Sequence, residues 1–255
     1  RPMDAQTRAP ISFKFLRQLN QAPVHIQSYK GRSHAPLKTV AETYFTSDAL
    51  LDKFIHRLAA NEATSFKEIL ESCEFFGRVR DSLQSPDVAD LCCGHGLVGI
   101  LFALFERRVE RVTLVDGRKP PGYDRVLASA VEVGPWVADK VTYIETGLDE
   151  VGDLLPQGAS VCAVHACGNL SDRCLDIAIG AEAQVALMPC CHNHRYPQIA
   201  PVLYRELGVE TAVDAERTNR LGDAGYHVNW RYVSERITPM NRILIGKRNV
   251  DITVF

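Results

Sequence analysis

The stretch that decides the fold is residues 88–115, VADLCCGHGLVGILFALFERRVERVTLV, followed directly by Asp116. Its pattern predicts a buried strand, a glycine-rich turn, an apolar helix and a second strand that ends in an acid. Gly94, Gly96 and Gly99 lie where a nucleotide-like ligand needs a sharp turn and a close backbone approach. Asp116 follows Gly99 by seventeen residues, at the expected tip of the next parallel strand, where a carboxylate can accept hydrogen bonds from both ribose hydroxyls. This unit therefore predicts a cofactor site.

The glycines alone do not decide which cofactor binds, because GHGLVG also matches the dinucleotide pattern G-x-G-x-x-G. Asp90, at the end of the first strand, separates the two candidates. Its carboxylate suits a cationic amino-acid head group and would repel a pyrophosphate. We therefore expect S-adenosylmethionine as the cofactor, and an NAD-linked oxidoreductase is the alternative.

The same stretch resembles motif I of the class I methyltransferases, in which an acid, two residues and then glycines precede a second acid after the next strand. Cys92 stands at the position of the first glycine. The resemblance implies an α/β, Rossmann-like fold with a seven-stranded, mostly parallel sheet and an antiparallel last strand. The residues expected at the cofactor are Asp90, Cys92, Gly94, Gly96, Asp116, Gly117, Gly147, Leu148 and His165.

The flanking sequence predicts the remaining architecture. Residues 1–75 are expected to form an N-terminal helical extension, and residues 76–255 the methyltransferase domain. In the extension, Ser47 is a candidate cap for one helix, and Ser65 with Glu68 forms a capping box for the next. Phe75 and Phe76 are expected in the core.

Beyond Asp116 the spacing predicts alternating helices and strands that end in an antiparallel pair at the sheet edge. The expected helices cover residues 123–133, 149–155, 198–207 and 209–221. The expected strands cover residues 141–144, 160–164, 185–188, 226–233 and 242–245.

Two polar segments, residues 165–168 (HACG) and residues 189–192 (PCCH), follow neighbouring predicted strands. Ligands of open α/β sheets bind at the carboxyl ends of strands, so both segments should face the transferable methyl group. The catalytic candidates are His165, Cys191 and His192. A histidine suits removal of a proton from a ribose hydroxyl, and a cysteine thiolate in this segment could instead attack a pyrimidine ring. Histidines that shape the pocket and a structural thiol in a tight turn are the alternatives.

The pairing of these two segments resembles a methyltransferase branch that includes the eukaryotic acceptor-stem tRNA ribose 2′-O-methyltransferases and poorly characterised relatives. The closing ITPMNRILIG resembles the final hairpin of that branch. The resemblance implies an RNA acceptor, tRNA or rRNA, although the zinc-binding modules of the ribose methyltransferases are not found in this sequence. A small-molecule acceptor and a non-catalytic cofactor-binding scaffold are the alternatives.

The net charge of −2 means that RNA would have to bind through a local basic patch. We expect two basic groups to flank the pocket: the loop of residues 30–38, and a group made of Arg195, Arg236, Arg242, Lys247 and Arg248. No membrane partner is expected, because the longest apolar run, residues 97–105, is too short to span a bilayer.

Eight cysteines include two adjacent pairs and no C-x-x-C. Adjacent cysteines seldom bridge each other, because the ring is strained. Reduced thiols and a cytoplasmic location are therefore expected. Because a C-x-x-C knuckle is missing, we expect no bound metal at the Cys/His segments.

Overall fold

A computed structural model of the protein describes residues 12–27, 36–192, 196 and 198–248. In these ranges, helices surround one seven-stranded sheet. The helices are α1 (Val24–Gln27), α2 (Leu37–Tyr44), α3 (Leu50–Ala60), α4 (Phe66–Val79), α5 (Leu97–Phe105), α6 (Gly122–Val133), α7 (Val137–Lys140), α8 (Asn169–Gly180), α9 (Pro201–Leu207) and α10 (Val209–Asp223). The strands are β1 (Asp87–Leu91), β2 (Arg111–Asp116), β3 (Val141–Glu145), β4 (Ser160–Val164), β5 (Gln184–Met188), β6 (Tyr226–Tyr232) and β7 (Arg242–Arg248).

The sheet has the strand order β3-β2-β1-β4-β5-β7-β6. Strands β1 to β5 run parallel, whereas β7 pairs antiparallel with β5 and β6 pairs antiparallel with β7. The predicted α/β fold, with an antiparallel pair at the sheet edge, is confirmed.

The order of the strands reverses between β1 and β4, where one half of the sheet runs β1-β2-β3 and the other runs β4-β5. Connections leave this point in opposite directions, which opens a crevice above the carboxyl ends of the two strands. The glycine-rich loop after β1 and the HACG segment after β4 both lie at this crevice.

The N-terminal helices form an outer layer in which α4 packs against α5, α3 against α6 and α2 against α3. The Phe76 ring on α4 lies 4.9 Å from Phe102 on α5 and 5.0 Å from Phe15, in edge-to-face contacts. Phe75 and Phe76 are both 0% exposed, as expected of core residues. Because α5 lies between this layer and the sheet, apolar residues line every side of it. In the described part of the chain, no helix is long and apolar enough to cross a membrane.

Glu74 on α4 is a buried anchor for the chain that precedes the helices. Its carboxylate accepts hydrogen bonds of 2.8–2.9 Å from the backbone N–H groups of residues 14, 15 and 16, and it forms an ion pair with Arg78. These partners offset the cost of burying a carboxylate. The boundary expected between residues 75 and 76 lies within α4, and the division into two domains stays a prediction.

Of the two predicted helix caps, the one at the start of α4 is confirmed and the one at the start of α3 is wrong. Ser65 caps α4 by accepting a hydrogen bond from Glu68 N. Ser47 does not cap α3, which has Ala49 at its N-cap. The Ser47 hydroxyl instead donates to Asp52 Oδ2 at 2.7 Å, because this buried carboxylate needs donors.

Two predicted helices differ from the structure. Residues 149–155 form two short 3₁₀ turns, Leu148–Glu150 and Gly152–Leu154, because Gly152 and Pro156 interrupt the segment. The helix expected from residue 198 begins at Pro201, since proline is favoured at the first helical position.

Candidate active site

The loop after β1 turns through three residues in the left-handed region, Cys92 (φ +54°), Gly94 (φ +52°) and Gly96 (φ +72°). Gly94 N donates to Asp116 Oδ2 at 2.9 Å, and the Tyr143 hydroxyl donates to the Gly94 carbonyl at 3.1 Å. These bonds connect the loop to the end of β2 and to the middle of β3. The side chains of Asp116 and Tyr143 therefore stabilise the conformation of the loop.

Cys92 adopts a conformation that favours glycine, which explains why related motifs have glycine at this position. The thiol of Cys174 on α8 bonds to the Cys92 sulfur and lowers the pKa of Cys92. The Cys92 side chain thus packs toward α8. Its contact with the cofactor stays a prediction.

The glycines of the loop have different roles. A Cβ at Gly94 would meet no atom within 4 Å, so the backbone there is open to a ligand. A Cβ at Gly96 or Gly99 would lie 2.5 or 2.4 Å from the Leu114 side chain. Gly96 and Gly99 therefore let the loop and α5 pack closely on β2, and Gly94 is the glycine where a ligand can approach.

Asp90 is buried beneath the loop, with 2% of its surface exposed. Its Oδ2 accepts a hydrogen bond of 2.9 Å from Gly99 N at the start of α5. Burial raises the pKa of Asp90 to about 7, although the hydrogen bonds from Gly99 and Cys162 oppose this shift. Asp90 supports the loop from within, and its predicted contact with a cationic head group stays a prediction.

Asp116 lies half-buried at the end of β2, beside the open backbone of Gly94. Gly117 and Gly147 are also open, since a Cβ at either would meet no atom within 4 Å. The Leu148 side chain packs partly buried against the core on the same side of the sheet. The expected contacts of Asp116, Gly117, Gly147 and Leu148 with a ribose and an adenine ring stay predictions.

His165 ends β4 with a φ of +60°, and its backbone N donates to the Met188 carbonyl at the end of β5. Its Nε2 lies 3.1 Å from Glu71 Oε2. Glu71 is 5% exposed and belongs to α4. One helical turn earlier, Glu68 Oε1 lies 2.8 Å from Nδ1 of His95 in the glycine loop. Helix α4 thus orients a histidine on each side of the crevice.

The sequence does not predict the contacts that α4 makes with His165 and His95. The sequence predicts Glu68 only as a member of the capping box and predicts no role for Glu71. Glu68 and Glu71 are three residues apart on an amphipathic helix, and this spacing places both carboxylates on one face. That spacing is common on solvated helices and does not by itself predict a site.

The comparison with protein families agrees with this geometry. A family model described as a methyltransferase domain matches residues 61–197, which is more than half of the chain. The chain belongs to this methyltransferase family. It is an S-adenosylmethionine-dependent methyltransferase. Of the two cofactors compatible with the glycine pattern, S-adenosylmethionine is therefore the one expected to bind, and the prediction of this cofactor is confirmed.

Solved structures similar to the methyltransferase include three with low sequence identity. The methyltransferase domain of bacterial CtHen1 is 13% identical over 71% of this chain and 98% of that chain, with a TM-score of 0.47. A protein from Corynebacterium glutamicum is 15% identical over 83% and 95%, with a TM-score of 0.49. A SAM-dependent methyltransferase from Aquifex aeolicus is 16% identical over 67% and 87%, with a TM-score of 0.41. No curated protein matches the chain.

His192 of the methyltransferase lies behind the end of β5, with only 5% of its side chain exposed. Its Nε2 is 3.0 Å from Oδ1 of Asp214 on α10, a carboxylate that Arg217 and Arg242 also contact. Although burial opposes the change, the bonds from His192 and Arg242 hold the pKa of Asp214 below its usual value. A catalytic role of His192 stays a prediction, and the structure shows it in a buried ion network.

Cys191 meets two other cysteines at the ends of β4 and β5. The sulfur of Cys167 lies 3.0 Å from that of Cys190 and 3.7 Å from that of Cys191, and Cys190 and Cys191 are 3.6 Å apart. Burial, together with the hydrogen bonds that the Cys190 thiol donates to Cys167 and Cys191, raises the pKa of Cys190. The two polar segments lie together at the ends of β4 and β5. That they face the transferable methyl group, and that Cys191 is catalytic, stay predictions.

The expected basic group is only partly assembled. Arg248 pairs with Glu182, and Lys247 lies 3.5 Å from the Asp81 carbonyl, both at the amino ends of the parallel strands. The expectation that these two residues flank the crevice is wrong, because β7 runs antiparallel to β5. Arg242 is bonded to Asp214, and Arg236 to Gln27. Residues 30–35 and residue 195 lie outside the described residues.

Proposed function

We propose that this methyltransferase methylates a hydroxyl group of RNA, with His165 as the general base. The observation that carries the proposal is the pairing of His165 Nε2 with buried Glu71 at 3.1 Å. A carboxylate that holds one imidazole nitrogen orients the ring and leaves the other nitrogen to accept a proton. A hydroxyl group must lose its proton when its oxygen is methylated, so such an acceptor needs a base of this kind.

The free nitrogen of His165 supports the same role. Both ring nitrogens are buried and neither forms a hydrogen bond of good geometry among the described residues; Nε2 lies at ion-pair distance from Glu71, and Nδ1 has no such contact. A buried polar atom without a partner is costly, and an acceptor hydroxyl at this position would supply the missing hydrogen bond. The tautomer with Nε2–H toward Glu71 leaves the lone pair on Nδ1.

The cofactor would be held along the crevice between the glycine loop and the end of β2. Asp116 would accept hydrogen bonds from its ribose hydroxyls, and the open backbone at Gly94 would lie against it. S-adenosylmethionine supplies an electrophilic methyl group on a sulfonium. The protein's part is to align the acceptor, hold the proton at His165 and exclude water.

RNA is the proposed acceptor class because the HACG and PCCH segments, which resemble those of the ribose 2′-O-methyltransferases, lie together at the site. The site is also reachable by a large acceptor, since Cys167 and Cys191 are exposed and Leu170 is 43% exposed beside them. Arg118 at the end of β2 and Arg173 on α8 are exposed cations on the same edge. The Arg173–Asp149 pair is a surface pair that a phosphate can displace at little cost.

The test is methyl transfer from labelled cofactor to the RNA, protein and metabolite fractions of the source cell, followed by mass spectrometry of the labelled product. We expect label on a ribose oxygen of RNA, and transfer that weakens steeply as the salt concentration rises. Label confined to metabolites or protein would refute the RNA acceptor. Label on a base carbon would refute His165 as a hydroxyl base and favour a cysteine nucleophile.

A further inference from the structure

Three cysteine thiols converge where β4 and β5 end. The two strands pair in register, with Val164 opposite Met188, so the residues that follow each strand emerge side by side. The chain turns at His165 (φ +60°) and at Gly168 (φ +58°) before α8 begins. These turns bring the sulfur atoms of Cys167, Cys190 and Cys191 within 3.0–3.7 Å of one another.

These sulfur positions fit the coordination shell of a thiophilic metal. With a zinc–sulfur bond of about 2.3 Å, tetrahedral ligands lie about 3.8 Å apart. The Cys190–Cys191 and Cys167–Cys191 distances are 3.6 and 3.7 Å. The Cys167–Cys190 distance of 3.0 Å would have to lengthen, which requires only a small rotation of an exposed side chain.

We propose that Cys167, Cys190 and Cys191 bind a zinc-class divalent cation through three thiolates, leaving a fourth coordination position open to the active-site crevice. Thiolate ligands select borderline-soft ions such as Zn²⁺ over Mg²⁺ or Ca²⁺. Exposure of Cys167 and Cys191 provides a path by which the ion enters. Three protein ligands with an open position is a recurrent zinc arrangement.

The sequence led us to expect no metal, because it lacks a C-x-x-C knuckle. That spacing rule applies to ligands that come from one loop. Here one ligand follows β4 and two follow β5, and the pairing of the strands brings them together. The proposal does not depend on the acceptor of the methyl group.

The experiment uses the full chain purified without an affinity tag and under reducing conditions. The protein is incubated with Zn²⁺, freed of unbound metal and analysed for zinc content. We expect stoichiometric zinc, release of protons on binding, and protection of thiols from a thiol-reactive reagent. Co²⁺ in place of Zn²⁺ should show thiolate-to-metal charge-transfer absorption.

The variants Cys167→Ala and Cys191→Ala should lose the retained zinc. Both side chains are exposed, so the variants should unfold at the same temperature as the metal-free wild-type protein. Cys73→Ala is the control, because Cys73 is a buried cysteine of α4 that does not belong to the three-cysteine group, and this variant should retain zinc. Sub-stoichiometric zinc in the wild-type protein, or equal retention in all variants, would overturn the proposal. A Cys167–Cys190 disulfide in zinc-free protein would overturn it as well.

Discussion

Glu71 Oε2 on α4 lies 3.1 Å from His165 Nε2 at the end of β4. This contact joins the N-terminal helical layer to the crevice of the sheet. Helix α4 therefore contributes to the candidate active site as well as packing against α5. Replacing Glu71 should therefore slow methyl transfer and leave the conformation of the glycine loop unchanged.

The variant His165→Ala should slow methyl transfer by roughly 10²–10⁴-fold, because it removes the general base. Affinity for S-adenosylhomocysteine, measured by calorimetry, should change little if His165 acts on the acceptor. His227→Ala is the control, since His227 is exposed on β6, the edge strand. Equal rates for the two variants would remove His165 from the mechanism.

Glu71→Gln keeps the shape of the side chain and removes its charge, so the His165 ring loses its orienting partner. We expect the turnover rate to fall on the order of 10²-fold, as for other small misplacements of catalytic groups. KM for the acceptor and the affinity for S-adenosylhomocysteine should be nearly unchanged. Glu42→Gln, at an exposed position on α2, is the control. A loss of cofactor affinity in place of turnover would show that Glu71 has a structural role.

Asp116→Ala should weaken cofactor binding by about 1.5–3 kcal/mol, through the loss of charge-assisted hydrogen bonds to the ribose. Titration calorimetry with S-adenosylhomocysteine measures this change. Because Asp116 Oδ2 also accepts from Gly94 N, thermal unfolding of the variant should be followed in parallel. Asp124→Ala removes an exposed carboxylate that pairs with Lys119 and should leave affinity intact. Unchanged affinity in Asp116→Ala would mean that Asp116 does not bind the ribose.

Asp90→Asn should change how stability depends on pH. In the unfolded chain an aspartate has a pKa of about 3.9, whereas burial raises the pKa of Asp90 to about 7 in the folded protein. Between these values the folded state binds more protons, so Asp90 lowers the free energy of unfolding as pH rises. The contribution of Asp90 to the free energy of unfolding is therefore largest below the pKa that Asp90 has in the unfolded chain, and it is lost by about pH 7.

The slope of this contribution approaches about 1.4 kcal/mol per pH unit between the two pKa values. Urea unfolding of wild type and Asp90→Asn across that range measures it. The variant should gain stability relative to wild type as pH rises toward 7. A difference that is independent of pH would show that Asp90 is ionised in the folded protein throughout.

Local sequence patterns were sufficient to predict how residues 88–116 fold. The strand, glycine loop, helix and second strand of residues 88–116 are contiguous, and each glycine is required by a turn or a close packing contact nearby. Asp116 therefore had to lie beside the loop once β1 and β2 paired. The same locality explains the correct prediction of the closing hairpin, β6 and β7.

The surroundings of His165, His192 and the cysteines at the ends of β4 and β5 depend on contacts that only the folded chain creates. Glu71 meets His165 because α4 packs over the crevice, and Asp214 meets His192 because α10 returns to the end of β5. Cys167 reaches Cys190 through the register of β4 and β5. Such contacts join residues distant in sequence, and no local periodicity encodes them. They are set by burial, since α4 and α10 cover the sheet only when their apolar faces pack against it, and this packing fixes where their carboxylates lie.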